Sequence, residues 1–326
     1  MTFRKYLSQV SDGVFLFAAP RTRFANWRRS GNIILLQGEQ GISLIDSGGN
    51  AAKQHLIPLV NRFLDDSNGE VHCLHTHGHI DHMAGDPILT DRFQAKIWAS
   101  EEAVPFVRAQ TPLLLDMERP FMVVTFRELF LAPEWFVEGV MRLTMGRNHP
   151  TDTVHVVRDD TDPAGTGFQP LPLPGHHPGH IGFFHRERGI LVAGDLLDPR
   201  HRMKPVLTAP SSDFELMGNT LEVVLSLSPQ ILILGHGNPF VGEEAVRNAI
   251  ERSLETLRNA QHKVIESLES EPLTLGGLST RLQRQGLGPG DVFRRMFIHS
   301  ILRHLLSRDR VLRTPTQKGM VEFSLR

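Results

Sequence analysis

The stretch at residues 76–82, which reads THGHIDH, constrains this chain more than any other feature of its sequence. It places three imidazoles and one carboxylate within six positions, directly after an apolar run that is typical of a strand. His77 and His79 stand two positions apart and can bind one metal ion, whereas Asp81 and His82 can face a second one. The stretch therefore predicts one wall of a two-metal site, rather than a polar loop with histidines by chance.

Three later segments supply matching residues, and each follows a strand-like run. They are the turn-rich loop PGHHPGH at 174–180, the apolar run GILVAGD at 189–195 and the apolar run ILILGHG at 231–237. Residues at the ends of strands can be aimed at one point by a rigid sheet. We therefore expect the four segments to converge.

The order HxHxDH, PGHxPGH, GD and GHG resembles the metallo-β-lactamase superfamily, especially its glyoxalase II-like hydrolases, over roughly the first 240 residues. The resemblance implies an α/β fold, the αββα sandwich of that superfamily, and two divalent metal ions, with zinc first and manganese or iron as alternatives. It also implies a complete set of ligands: His77, His79 and His176 for the first metal; Asp81, His82 and His236 for the second; and Asp195 as the bridge between them.

The bridging carboxylate narrows the branch that the chain resembles. Zinc β-lactamases of the superfamily generally lack a carboxylate where this chain has Asp195, and one-iron relatives keep only two histidines and this aspartate. The resemblance implies that Asp46 supports the metal loop, residues 76–82, without binding metal itself. Capping a turn explains Asp46 equally well. His177 and His180 are candidates for supporting or structural roles in the loop that holds His176.

Length and composition limit the remaining possibilities. A chain of 326 residues exceeds what one core usually organises, so we expect a catalytic domain at 1–240 and a second domain at 241–326. The formal net charge of −1 gives no overall field that would attract nucleic acid or an anionic membrane. Without a secretion signal or a membrane-spanning run, we expect a cytoplasmic protein. The single cysteine, Cys73, reads as a buried apolar residue.

The gap of 94 positions between His82 and His176 is longer than a minimal domain of this type needs. We expect a helical insert at about 101–150 that lies over the metal mouth and offers Trp135 to an apolar substrate. Packing on the sheet edge or a dimer contact is the alternative. Further on, Arg200 and His201 would meet an anionic substrate at the rim of the site, unless they belong to a solvated basic loop.

From residue 243 the pattern changes to three helices followed by a hairpin, which is typical of a winged helix and is similar in layout to the β-lactamase-like protein 2 group. Arg294, Arg295 and Arg303 fall on the helix that would enter DNA. Residues 240–326 hold 14 Lys or Arg and 10 Asp or Glu, a mild excess without interleaved aromatics. We prefer a packing or dimerisation module to a nucleic-acid-binding one.

These residues predict a hydrolase that uses metal-activated water. Coordination can lower the pKa of water to about 7, and two metals about 3.5–4 Å apart can stabilise both attacking and leaving oxygens. Asp81 is the candidate catalytic residue, because it can orient that water as well as bind metal. We expect cleavage of an ester, thioester or lactone of a small molecule. A metallo-endonuclease or phosphodiesterase acting on nucleic acid is the alternative, and a non-catalytic binding protein is a third reading.

Overall fold

The computed structural model of the protein describes residues 3–18, 30–64, 69–109, 135, 139, 151–198, 204–205, 207, 211–287, 291–316 and 320–326. After a 3-10 turn at Phe3–Tyr6, a first sheet is built in chain order from β1 (Leu7–Ser11), β2 (Val14–Phe17), β3 (Ile33–Gly38), β4 (Gly41–Ile45), β5 (Glu70–Leu74), β6 (Lys96–Ala99) and β7 (Val154–Val156). Strands β1 to β4 pair antiparallel, and β4 to β7 pair parallel.

A second sheet has the order β14-β13-β10-β9-β8. Its strands are β8 (Gln169–Pro172), β9 (Ile181–His185), β10 (Ile190–Val192), β13 (Ile231–Ile233) and β14 (Phe240–Val241). β10 and β13 are parallel, and the other pairs are antiparallel. A short ribbon of β11 (Leu197–Asp198) and β12 (Lys204–Pro205) follows β10. The strand-like runs that precede or begin the four motifs form strands β5, β8, β10 and β13.

Helices cover the outer faces of both sheets. Of the helices whose bounds the structure describes, four belong to the first half: α1 (Lys53–Phe63), α2 (Ile80–Met83), α3 (Asp86–Phe93) and α4 (Val104–Ala109). Four belong to the second: α5 (Phe214–Leu227), α6 (Glu243–Ser270), α7 (Leu275–Arg284) and α8 (Asp291–Ser307). A third small sheet, ordered β15-β17-β16, consists of β15 (Leu273–Thr274), β16 (Val311–Pro315) and β17 (Val321–Leu325).

Alternation along the strands separates the core into layers. In β3, Ile33 and Leu35 pack with Leu56 of α1 on the outer face, whereas Ile34 faces Phe183 of the second sheet. This happens because successive side chains of a strand point to opposite faces. The order helix, sheet, sheet, helix confirms the predicted α/β sandwich.

The C-terminal helices share a core with the second sheet. One continuous cluster joins Leu191 and Leu232 of that sheet to Leu254 of α6, Leu278 of α7 and Ile301 of α8. Thr274 caps α7, because its hydroxyl accepts a hydrogen bond from the Gly277 N–H at 3.1 Å. The helices and hairpin lie where the sequence places them, while the winged-helix assignment and the boundary at residue 240 stay predictions.

The predicted insert at 101–150 lies mostly outside the described residues. Helix α4 falls within it, and Trp135 has helical backbone and is 73% exposed. Its placement over the metal mouth therefore stays a prediction. None of the helices in the described ranges combines the length and the apolar character that crossing a bilayer requires.

Candidate metal centre

The polar residues singled out in the sequence follow strands that end at one edge of the sandwich. Asp46 follows β4, and His77 stands three positions after its parallel neighbour β5. In the second sheet, Asp195 and His236 stand three positions after the parallel strands β10 and β13. Because parallel strands end at the same edge, these side chains meet there.

The first predicted ligand set is assembled from two loops. The Nδ1 atom of His79 lies 3.0 Å from the Nε2 atom of His77 and 3.0 Å from the Nε2 atom of His176. The loop of His176 is held from behind, because the Ser212 hydroxyl donates to the His176 carbonyl oxygen at 2.9 Å. Three imidazole nitrogens at these separations form a compact set that can bind one cation.

The second set joins the end of the stretch at 76–82 to the turn that follows β13. Asp81 and His82 lie on the helical turn α2. The Oδ2 atom of Asp81 is 3.3 Å from the Nε2 atom of His236 and 3.9 Å from that of His82. This arrangement supplies one carboxylate oxygen and two imidazole nitrogens to a second position.

Asp195 lies between the two sets, and each of its oxygens faces a different one. Its Oδ1 atom is 3.5 Å from His82 Nε2 and 3.4 Å from His236 Nε2, whereas its Oδ2 atom is 3.7 Å from His176 Nε2. Next to it, a Cβ at Gly235 would lie 2.3 Å from Asp195 Oδ1. Only glycine therefore lets β13 approach the carboxylate this closely.

Asp46 supports one ligand from each set. Its Oδ2 atom accepts a hydrogen bond from His82 Nδ1 at 2.7 Å and another from the Thr76 hydroxyl at 2.8 Å. Because that hydroxyl donates to Asp46, it accepts a hydrogen bond from His77 Nδ1 at 2.9 Å. Both rings are thus held by a hydrogen bond at Nδ1 with Nε2 aimed at the site, which is how supporting groups orient metal-binding histidines. The geometry favours the supporting role over a simple turn cap.

The residues fit a metal ion by a second criterion. Among the described residues, His82 Nε2 and Asp195 Oδ1 are buried and have no hydrogen-bond partner. Buried polar atoms are nearly always satisfied, and leaving one unpaired costs about 1–3 kcal/mol. Because both atoms face the space between the two sets, divalent cations would supply the missing partner. The fold and these clusters imply a divalent metal site.

Charge divides the site into two halves. Burial lowers the pKa of His77 and His79 well below the usual range, so both rings are neutral at neutral pH. Burial acts in the same direction on His82 and His236, but the Asp195 carboxylate and its neighbours raise the pKa of His82 well above the usual range and that of His236 to about 9. Burial opposes ionisation of Asp195, yet His236 and His82 hold its pKa well below the usual range.

Of the remaining predicted site residues, some lie beside the first set and others lie outside the described residues. His177 contacts His79 with ring centroids 4.7 Å apart, and His180 donates to the Leu173 carbonyl oxygen at 2.8 Å. Both are buried beside the first set, which agrees with supporting roles. Arg200 and His201 lie outside the described residues, so their predicted contact with substrate stays a prediction, as does that of Trp135.

Sequence reasoning missed Asn32. Its side-chain amide donates to the carbonyl oxygens of Leu234 and Gly237, both at 2.9 Å, on either side of His236. Its backbone N–H also donates to the Gly235 carbonyl oxygen at 2.6 Å. Asn32 thereby fixes the turn that carries His236. Nothing in its spacing signals this role, since about 200 positions separate it from its partners.

Comparison with known proteins agrees with this geometry. The model of the metallo-beta-lactamase superfamily matches residues 26–236. The chain is 29% identical to the hydroxyacylglutathione hydrolase GloC of Haemophilus influenzae over 219 residues, which is 66% of this chain and 89% of that protein. It is 26% identical to the probable metallo-hydrolase YqjP of Bacillus subtilis over 258 residues, covering 74% of this chain and 77% of that protein.

Solved structures extend the likeness in fold to the C-terminal helices. A metallo-beta-lactamase family protein from Thermus thermophilus aligns over 98% of this chain and all of its own length, with a TM-score of 0.72 at 21% identity. A beta-lactamase domain protein from Burkholderia ambifaria aligns over 98% of this chain and 93% of its own, with a TM-score of 0.74 at 19% identity. The chain belongs to the metallo-beta-lactamase superfamily and is a metal-dependent hydrolase with glyoxalase II-like homologues.

Proposed function

We propose that this hydrolase uses two divalent cations to cleave an ester, thioester or lactone of a small molecule, with the thioester favoured. The observation that carries the proposal is the position of Asp195 between the two ligand sets, with one carboxylate oxygen facing each set. Zinc is the favoured cation, because five of the seven predicted ligands are imidazoles. Manganese and iron are the alternatives.

Bound there, two cations would act as Lewis acids and make water nucleophilic at neutral pH. The protein residues would supply the alignment. Asp81 is the proposed catalytic residue, because its side chain is 36% exposed while its Oδ2 atom stays within 3.9 Å of both second-set histidines. It can therefore face both a cation and an entering water. Asp46 keeps His82 and, through Thr76, His77 in the tautomer that binding needs.

The thioester is favoured by kinship. The relative from Haemophilus influenzae is a hydroxyacylglutathione hydrolase that aligns over 219 residues of this chain, and the superfamily model spans all seven predicted ligands. Sequence identity of 29% supports the same class of reaction but not the same acyl group or carrier. The proposal is accordingly stated at the level of the bond that is cleaved.

The test is a substrate panel with the zinc-loaded protein. A hydroxyacyl thioester of glutathione, an aryl ester, an acyl lactone, an RNA oligonucleotide and an aryl phosphodiester are assayed in parallel, with Asp195→Asn as the control for contaminating hydrolases. Hydrolysis of an acyl substrate that Asp195→Asn abolishes supports the proposal. Cleavage of only RNA or the phosphodiester would replace it with the nuclease alternative.

We propose that the C-terminal module, whether or not it is a winged helix, packs against the catalytic half rather than binding nucleic acid. Arg294 and Arg295, two of the three arginines on the helix that would enter DNA, are buried. The Arg294 Nε atom donates to the Ser279 carbonyl oxygen at 2.9 Å, within the module itself. Guanidinium groups used in this way are not available to bind phosphates. We therefore propose a small molecule, rather than nucleic acid, as the substrate.

The contacts between α8 and α5 indicate what this packing supports. His304 of α8 lies 3.4 Å from Glu215, which also pairs with Arg308. Glu215 is in the first turn of α5, next to Asp213, whose backbone N–H donates to the Gly175 carbonyl oxygen at 2.7 Å in the loop of His176. The module would thereby stabilise the loop that carries a first-set ligand. A homodimer through this module remains the alternative.

A further inference from the structure

A buried histidine that is not a predicted ligand lies directly beneath the metal loop. His75 is fully buried, and each nitrogen of its ring faces a carboxylate oxygen. Its Nε2 atom is 2.9 Å from Asp86 Oδ2, and its Nδ1 atom is 3.6 Å from Asp46 Oδ1. The first contact is a hydrogen bond, whereas the second is a close ionic approach. His75 therefore connects Asp86 to the carboxylate that supports His82.

Asp86 is itself fixed on its far side. It begins α3, is fully buried, and its Oδ1 atom accepts a hydrogen bond from the Ser47 hydroxyl at 2.7 Å. The backbone N–H of Ser47 donates to the His82 carbonyl oxygen at 2.7 Å. The group of Asp46, His75, Asp86 and Ser47 thus contacts His82 at both its ring and its backbone. A buried carboxylate without such partners would be strongly unfavourable.

A third metal site is the competing explanation for this cluster, because Cys73, His75 and Asp86 each bring a candidate ligand atom within 4.8 Å of the others. Two observations favour the hydrogen-bonded arrangement. The His75 Nε2 atom is already hydrogen-bonded to Asp86. The Cys73 Sγ atom lies 3.9 Å from that same Nε2 atom.

We propose that His75 and Asp86 are positioning residues for the second cation, because they hold the Asp46 carboxylate that orients His82. The proposal rests on the two-cation centre described under the proposed function. We expect this group of residues to affect the two cations unequally. His82 donates a hydrogen bond from its ring directly to Asp46 of this group, whereas His77 is linked to Asp46 through the Thr76 hydroxyl. Loss of the group should therefore weaken the second cation selectively.

The test compares three variants of the full chain by competition of cobalt with a chelator, with the electronic spectrum of the bound cobalt as a direct signature of ligand geometry. Asp86→Asn keeps the shape and removes the charge, and His75→Phe keeps a planar ring and removes both nitrogens. Cys73→Ala is the matched control, because it disturbs the same buried cluster at Sγ without contacting Asp46. Supporting-shell changes of this kind typically weaken metal binding about 10–100-fold.

We expect Asp86→Asn and His75→Phe to weaken the second cobalt about 10–100-fold and alter its spectrum, with the first unchanged. Cys73→Ala should leave both cations unchanged. If His75→Phe does not fold, Asp86→Asn decides. Unchanged affinities in Asp86→Asn, equal loss of both cations, or a third bound cation that Cys73→Ala removes would each overturn the proposal. A wild-type protein that binds two cobalt ions and hydrolyses an acyl substrate upholds the proposed function in all these cases. One that binds fewer than two overturns both.

Discussion

The two halves of the metal centre are built from different chemistry. The first set consists of three imidazoles, and burial keeps His77 and His79 neutral at neutral pH. The second set mixes Asp81 with His82 and His236, whose pKa values are raised by the surrounding carboxylates. A cation entering the first set meets rings that are ready to bind, whereas one entering the second must displace protons. For the two proposed cations, the comparison predicts affinities that depend unequally on pH.

We expect the largest effect from Asp195→Asn, because this substitution affects both ligand sets at once. The substitution removes the charge whose two oxygens face the two sets, and it leaves His82 and His236 without their nearest carboxylate oxygen. We expect kcat/KM to fall by more than about 100-fold, beyond the usual effect of a supporting residue. Metal content measured by elemental analysis should fall below two per chain. Full metal content with unchanged activity would contradict the bridging role.

Single-ligand variants should separate the halves. His79→Ala should leave a protein that binds one cation with an affinity that rises steeply with pH, because only the second set remains. His236→Ala should leave one whose affinity is nearly constant between pH 7 and 9, because His77 and His79 are neutral over that range. Competition with a chelator at several pH values measures both. Identical pH profiles for the two variants would remove the distinction between the sets.

The wild-type protein should show the same asymmetry more gently. With a pKa of about 9, His236 carries a proton throughout neutral pH in the metal-free protein. The affinity for the second cation should therefore rise with pH up to about 9, by roughly tenfold per pH unit for each proton released. Calorimetry in buffers of different ionisation enthalpy counts those protons. Binding of the second cation without proton release at pH 7 would be inconsistent with this assignment.

Asn32→Ala should weaken the second half alone. The variant removes the two hydrogen bonds that fix the turn around His236 and leaves buried carbonyl oxygens unpaired. We expect a loss of about 1–3 kcal/mol in the free energy of unfolding, measured by urea denaturation. The affinity for the second cation should drop while that for the first stays the same. Equal weakening of both would indicate a general loss of structure.

The smallest effect is expected far from the centre. Thr274→Ala removes the hydroxyl that caps α7, which should lower the free energy of unfolding by about 1 kcal/mol. Thermal denaturation measures the loss, and cation affinities and kcat should match the wild type. This variant calibrates the others, because it shows what modest destabilisation alone does to the centre. Altered metal binding here would couple the C-terminal module to the site more tightly than its contacts suggest.

Most of the strands and helices, and the residues brought together at the site, were predictable because their signals are local. The HxHxDH stretch and the short motifs after strands each fit within seven residues, and alternation or helical spacing marks the longer elements. Strands of two residues, such as β11 and β14, carry too little pattern to be recognised. The sequence leaves the role of Asp46 open between metal support and a turn cap, and only the fold reveals its distance of 2.7 Å to His82 Nδ1.

What the sequence could not provide depends on contacts between distant positions. Asn32 reaches Leu234 across 202 positions, and no periodicity connects them. His75 and Asp86 read as part of a strand and as a helix start, and only the fold places the ring between two carboxylates. The arginines of α8 looked available to phosphate because composition does not say which face of a helix is buried, whereas the structure buries Arg294 and Arg295.

The tight approach at Gly235 has a consequence for how this enzyme could diversify. Any side chain at that position would collide with Asp195 Oδ1 and with the His82 ring before it reached substrate. The pocket therefore cannot be reshaped step by step through larger residues at position 235, because even the methyl group of alanine would displace the Asp195 carboxylate. New substrate preferences would have to arise in segments that border the centre without touching it, and the chemistry itself would pass unchanged from one descendant to the next.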